Sequence, residues 1–320
     1  MKTLINALRV MVGTLLVLTG IAKLNDPTGY AFLLQDYFGA AGLHFSFIAD
    51  RALIFSVMLT LGEIVLGMMI LLGYAIKLVR WIFLFSSALL TFLTLYIAYS
   101  SKLENCDFMA KVIFLTPELS FWKFFGSFLI AIVIFLKSHL ITPVFKLMVN
   151  KWILFVCFIS SLFIIYEVLT HLPLVDYSPF QEGTSIVQEI QAPQDLDFSP
   201  WDFKILRGKE DLTHTVLTQE KTILIVSRNL KHSDKEGWEK ISAMAKTALK
   251  NEYTVLGVTP NTLDNAELFK KELDLPFDFA QIDQSQARNM IRANPGIMVV
   301  EKGTIIEKRH WNSANRLKFK

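Results

Sequence analysis

The chain has only two cysteines in 320 residues, Cys106 and Cys157, and none in its last half. A disulfide framework and dithiol chemistry by the C-terminal half are therefore excluded by inventory. The histidines at 44, 139, 171, 214, 232 and 310 are scattered, without the companion ligands that zinc or copper requires, so no metal centre is expected. A Gly-x-Ser-x-Gly elbow, a phosphate-binding glycine loop and paired carboxylates are all missing. The net charge is only +3. A nucleic-acid surface needs clustered positive charge, so no nucleic-acid partner is expected.

What the chain does have is hydrophobicity, 52% of its residues, most of it before residue 172. Five runs reach the roughly 20 apolar residues needed to cross a hydrocarbon core of about 30 Å. They lie at approximately 4–22, 52–75, 81–99, 119–136 and 152–169. The third, WIFLFSSALLTFLTLYIAY, carries no charge. Arg9 and Lys123 sit near the ends of their runs, where a long stem carries the charge to the headgroups. Lys2 and Arg9 ahead of an apolar core also fit a cleavable signal peptide. The run ends in GIAKLNDP, without a clear small-x-small cleavage site, and more spans follow, so the first helix is expected to stay.

Charge orients these spans. With the N-terminus in the cytoplasm, Lys2, Arg9, Lys77, Arg80, Lys137, Lys146 and Lys151 all fall inside, with no acidic residue among them. This is the positive-inside pattern, and it places everything after the fifth span outside the cytoplasm. The expected location is a bacterial inner membrane, with a periplasmic C-terminal domain and membrane lipids around the bundle. Asp26-Pro27 reads as the N-cap and first residue of a short helix near the outer interface, and Thr116-Pro117 as the same for the fourth span. GYAIKLVR is a short turn that makes spans two and three antiparallel neighbours. Gly62, Gly67 and Gly73 would admit a close helix.

Residues 172–202 are rich in proline and acid and read as a connector with little regular structure. From 203 to 320 the pattern changes to TILIVS, the amphipathic KEGWEKISAMAKTALKN, YTVLGVT, NAELFKKEL, FDFAQID, SQARNMIRA and the hairpin GIMVVEKGTIIEKRHW. Alternating strands and helices with a closing hairpin predict a central sheet with helices on its faces. The expected fold class is a membrane all-α helical bundle over 1–171 plus a C-terminal α/β domain.

The order of these elements, with Asn294-Pro295-Gly296 just before the hairpin, resembles the thioredoxin fold, which would make Pro295 its cis-proline. The family's Cys-x-x-Cys turn falls here on SRNLKHSDKEGW, which has no cysteine. The membrane half, RVMVGTLLVLTGIAKLNDP and then LGEIVLGMMILLG, is similar to the DoxX and MauE group of small bundle proteins. A Bacteroidetes-type subset of that group adds a fifth span and a thioredoxin-like domain. VDYSPFQEGTSI and SQARNMIRANPGIMVVEKGTIIEK resemble that subset. In it, the loop before the fourth span carries Cys-Gly-Cys ahead of Leu-Thr-Pro. Here Leu115-Thr116-Pro117 matches, Cys106 falls on the first cysteine, and Phe108 stands where the second would be.

Cys106 is then half of a degenerate pair. Its thiol is either an orphaned remnant or free to form a mixed disulfide or carry a lipid. Glu63 lies mid-span, about 18 Å below Arg51 at 1.5 Å per residue, where a bare carboxylate is costly and faces a partner. It is read either as a ligand site or as a helix-pinning group, with Lys23, Ser86 or Ser87 as partner. Two functions follow. The first is a non-catalytic inner-membrane accessory or scaffold protein, whose cysteine-free thioredoxin-like domain binds other membrane or periplasmic proteins. The alternative, implied by the DoxX link to quinone-dependent oxidation, is a bundle that binds quinone or another lipid-soluble carrier near Glu63 and Lys23.

Overall fold

The computed structural model describes residues 1–39, 42–100, 117–191 and 203–319. The loop carrying Cys106, Phe108 and Thr116 lies outside them. The chain forms two compact units, Met1–Val168 and Leu169–Lys320. Among the described residues, five helices are long and apolar enough to cross a membrane. This is the multi-pass membrane protein expected from the sequence.

In the first unit the helices are α1 (Lys2–Asn25), α2 (Pro27–Phe38), α3 (Ser46–Asp50), α4 (Ala52–Leu72), α5 (Ile76–Ser100), α6 (Pro117–Lys137) and α7 (Leu147–Thr170). Each long helix satisfies its backbone internally, as hydrocarbon demands. Asp26 caps α2, its Oδ1 accepting from the Gly29 N–H at 2.7 Å, with Pro27 in the first turn. This helix does more than rest at an interface. Its Tyr30, Ala31, Leu34 and Tyr37 are buried against Ala52 and Ile97.

Although α4 and α5 are joined by a short turn, each packs mainly elsewhere: α4 against α1, and α5 against α6. Glycine placement explains the first pairing. A Cβ on Gly13 would lie 3.0 Å from the Gly67 carbonyl oxygen, and one on Gly20 would collide with Ile64. The absence of side chains lets α1 and α4 close on one another. Only one of the three glycines expected at a helix contact serves there. Gly62 faces open space, while Gly73 ends α4 in the left-handed conformation at φ 61°.

The second unit is built on a seven-stranded mixed sheet with helices on both faces. Its strands are β1 (Leu206–Arg207), β2 (Glu210–Asp211), β3 (Thr222–Val226), β4 (Thr254–Thr259), β5 (Asp278–Gln281), β6 (Gly296–Glu301) and β7 (Thr304–His310), in the order β2-β1-β5-β4-β3-β6-β7. β3, β4 and β5 run parallel, while β6 pairs antiparallel with both β3 and β7. The helices are α8 (Ile186–Gln191), α9 (Thr213–Thr218), α10 (Lys235–Lys250), α11 (Leu263–Glu272) and α12 (Gln284–Met290).

β3 is buried on both faces, which is why TILIV is a continuous apolar run rather than an alternating one. Leu224 and Val226 join one core with Val216, Ala287, Met290, Met298 and Phe180. Ile223 and Ile225 join the other with Trp238, Ile241, Ala245, Phe279 and Ile297. The amphipathic stripe of α10 supplies much of this second core.

The connector expected at 172–202 is, up to Gln191, an integral part of this unit. Phe180 and Ile186 are fully buried. The Gly183 N–H donates to the Ile305 carbonyl, the Ile305 N–H to Thr184, and the Ile186 N–H to Gly303, so this segment lies along β7. Lys308 fixes it from below: Nζ donates to Asp176 Oδ2 at 2.5 Å, the Phe180 carbonyl at 2.9 Å and Ser178 Oγ at 3.2 Å. Proline and acid in the sequence hid this, because the anchor is a lysine more than a hundred residues away. Burial would by itself raise the Asp176 carboxyl, but the Lys308 charge and hydrogen bonds outweigh it and hold that carboxyl below its usual range.

Replacing Lys308 with methionine removes three donors and strands Asp176. It should cost about 2–4 kcal/mol, the carboxylate's partial exposure lowering the loss expected for a fully buried pair. Hydrogen exchange checks this: the amides of residues 178–186 should lose protection before those of β3 and β4.

Candidate functional site

Two places gather polar groups with chemical potential, one in each unit. In the membrane unit, the close contact of α1 and α4 brings Glu63 onto the α1 face carrying Thr19 and Lys23, which are one helical turn apart. Glu63 Oε1 accepts from Thr19 Oγ1 at 2.5 Å, and Oε2 from Lys23 Nζ at 2.5 Å. The side chains are 8% exposed for Lys23 and 18% for Glu63, so this is an ion pair largely withdrawn from its surroundings. The Lys23 ammonium also lies 5.1 Å from the centre of the Tyr30 ring.

Of the partners considered for Glu63, Lys23 is therefore the one in contact. Ser86 and Ser87 instead turn back to carbonyls of their own helix. Thr19 was missed, and its signal was the i, i+4 spacing to Lys23 beside Gly20. Thr60, one turn from Glu63 on α4, has its Oγ1 buried without a hydrogen-bond partner among the described residues.

In the second unit the turn after β3 reads Ser227-Arg228-Asn229-Leu230, followed by Asp234 as the N-cap of α10. Asn294 clamps it. Asn294 Oδ1 accepts from Ser227 Oγ at 3.0 Å and from the Arg228 N–H at 2.9 Å, while its Nδ2 donates to the Asn229 carbonyl at 3.2 Å. The next peptide bond, Asn294–Pro295, is cis. Asn261 holds the other flank, accepting from the Leu230 N–H at 3.1 Å. The cis Pro295 thus lies beside a cysteine-free turn whose backbone groups are held by Asn294 and Asn261.

A cleft of about 400 Å³ in the same unit is lined by Leu172, Asp176, Ser178, Glu182, Arg292 and Lys308 among others. With its three donors engaged, Lys308 serves as an anchor of the chain there and has none left over for a ligand. His310 begins the closing 3-10 turn, its Nδ1 accepting from the Asn312 N–H at 3.1 Å, and burial pushes its imidazole down to about 4. Among the described residues, no three His, Cys, Asp or Glu side chains are grouped to hold a metal. Cys157 is a free thiol within α7, and Cys106 lies outside the described residues.

Residues 1–137 match the family described as Methylamine utilisation protein MauE. That stretch covers α1 to α6 and includes Thr19, Lys23 and Glu63, so the membrane unit is MauE-like. A comparison with curated proteins found no match.

The Lys23–Glu63 geometry carries a coupling test. Lys23→Met alone should destabilise the protein by roughly 2–4 kcal/mol, because it strands a carboxylate between helices. The double variant Lys23→Met/Glu63→Gln should cost clearly less than the sum of the two single changes. Unfolding in detergent measures all three; simple additivity would show that the two groups are not coupled.

Proposed function

We propose that this protein is a membrane accessory protein of a redox system, in which the bundle is the anchor and the C-terminal α/β domain is a partner-binding module. The match of residues 1–137 to a family named for methylamine utilisation supports the redox context. One observation carries the non-catalytic part: the turn after β3, beside the cis peptide at Pro295, holds serine, arginine and asparagine locked by Asn294.

On this reading the domain is thioredoxin-like, with β3-α10-β4 and the β6–β7 hairpin as its frame. The position where such a fold places its nucleophilic sulfur is occupied by groups with no redox chemistry. What remains is a shaped, pre-organised surface. A rigid turn loses little entropy on docking, which favours binding. We place the protein in the inner membrane of a bacterium, with the N-terminus inside and the α/β domain in the periplasm, on the strength of the basic residues gathered at one end of the bundle.

The experiment has two arms. The purified protein should exchange disulfides no faster than free thiol, and Cys106→Ser should change nothing; catalysed exchange lost in that variant would overturn the reading. Asn294→Ala, which frees the turn, should lower recovery of partners in mild-detergent co-purification about tenfold, a loss of ~1.4 kcal/mol.

A second reading keeps the bundle as a binding site for quinone or a similar lipid-soluble carrier beside Glu63 and Lys23. The buried Thr60 hydroxyl, a donor without an acceptor among the described residues and one turn from Glu63, favours it and fits a carbonyl oxygen. Such a carrier would supply the electron chemistry, and this chain would position it. Lipid extracts of the protein purified in native membrane discs should then contain quinone in near-stoichiometric amount; none would count against this reading.

A further inference from the structure

The end of the bundle opposite Lys23 on α1 has a charge problem. Arg9, on the second turn of α1, is only 8% exposed. Its Nη1 donates to the Thr142 carbonyl at 3.1 Å, and its Nε is buried with no acceptor among the described residues. Gly73 makes room for this guanidinium, since a Cβ there would stand 2.8 Å from Nη1.

Arg80, on α5, repeats the pattern. Its Nη1 donates to Ser138 Oγ at 2.9 Å, its guanidinium lies 5.0 Å from the centre of the Phe135 ring, and its Nε too is buried without an acceptor. Both arginines thus grip the segment 138–142 that follows α6. That segment is tied to the end of α4 in turn, the Val144 N–H donating to the Leu72 carbonyl at 3.0 Å.

Among the described residues, the segments that form this end carry no carboxylate. The chain has no acidic residue at 64–103 or at 119–166, while Lys77, Lys137, Lys146 and Lys151 add further positive charge. A guanidinium withdrawn from water without an anion is expensive, and its planar fork matches a phosphate oxygen pair better than any other common anion except a carboxylate.

We propose that this end of the bundle binds the phosphate of an anionic phospholipid, with Arg9 and Arg80 as its two guanidinium ligands and the exposed Lys77, Lys146 and Lys151 as its electrostatic rim. A lipid, rather than a soluble anion, suits the position: the apolar surfaces of α1, α5 and α7 beside it are exposed along Val10, Leu78, Trp81 and Met148, where acyl chains can lie. Basic recesses between membrane helices take anionic headgroups by the same chemistry.

The test is thermal unfolding of the full chain in detergent, with phosphatidylglycerol, phosphatidylcholine or inorganic phosphate added in parallel. Phosphatidylglycerol should raise the midpoint by at least about 4 °C over phosphatidylcholine, as expected for a ligand that binds only the folded state. Arg9→Gln/Arg80→Gln should abolish this difference, and Lys240→Gln, in the other unit, should leave it intact. If the double variant does not fold, Arg80→Gln decides, since Arg80 is only half-buried; it should lose at least half of the shift. Equal stabilisation by phosphatidylcholine, or a full shift in Arg80→Gln, would overturn the proposal. A shift reproduced by inorganic phosphate alone would replace the lipid with a free anion.

Discussion

Hydrocarbon tolerates neither an unpaired backbone nor an unpaired charge, and the membrane unit is organised around that constraint. Long helices answer the first demand. The second leaves few solutions for Glu63, and the one adopted needs three things at once: a glycine-lined face on α1, a threonine and a lysine one turn apart on that face, and an antiparallel α4. The polar contact and the small-residue contact are thus one feature. Moving Gly20 or Gly67 to a larger residue would push α4 outward and take the carboxylate away from both of its donors.

The α/β unit solves a different problem, the burial of a sheet that is apolar on both faces. Two cores, separated by the sheet, divide the work. Residues of β3 alternate between them, so each strand position is committed to one set of helices. The polar groups that must exist at the ends of these buried strands are absorbed locally: Ser227 and the Arg228 N–H by Asn294, the Leu230 N–H by Asn261, and the first turn of α10 by Asp234. The backbone of this turn is thereby held on both flanks by side-chain amides, which fixes its shape.

Much of this was legible in the residues themselves. The five spans follow from apolar runs, the Asp26-Pro27 helix start from capping chemistry, and β3, α10 and β4 from periodicity. The partner of Glu63 was legible only as one of several candidates. Which one makes contact depends on how α1 rotates against α4, and the glycines that set this rotation were sought on α4 alone, although Gly13 and Gly20 share the work. Helix pairing was hidden for a similar reason. A short loop between α4 and α5 implies proximity in sequence, but side-chain size decided that α1 and α6 would be the main neighbours. The segment before Gln191 was hidden most deeply, because its structure comes from long-range bonds to Gly303, Ile305 and Lys308, and its own composition resembles that of a loop.

That same segment also changes the border of the sheet. Residues 183–186 occupy the open side of β7, and the opposite border of the sheet ends in a two-residue strand, β2. A free sheet edge is a template for an incoming strand, and here the start of β7 is already paired by a segment of the same chain. Strand addition at residues 303–305 would first have to displace this segment from its own hydrogen bonds.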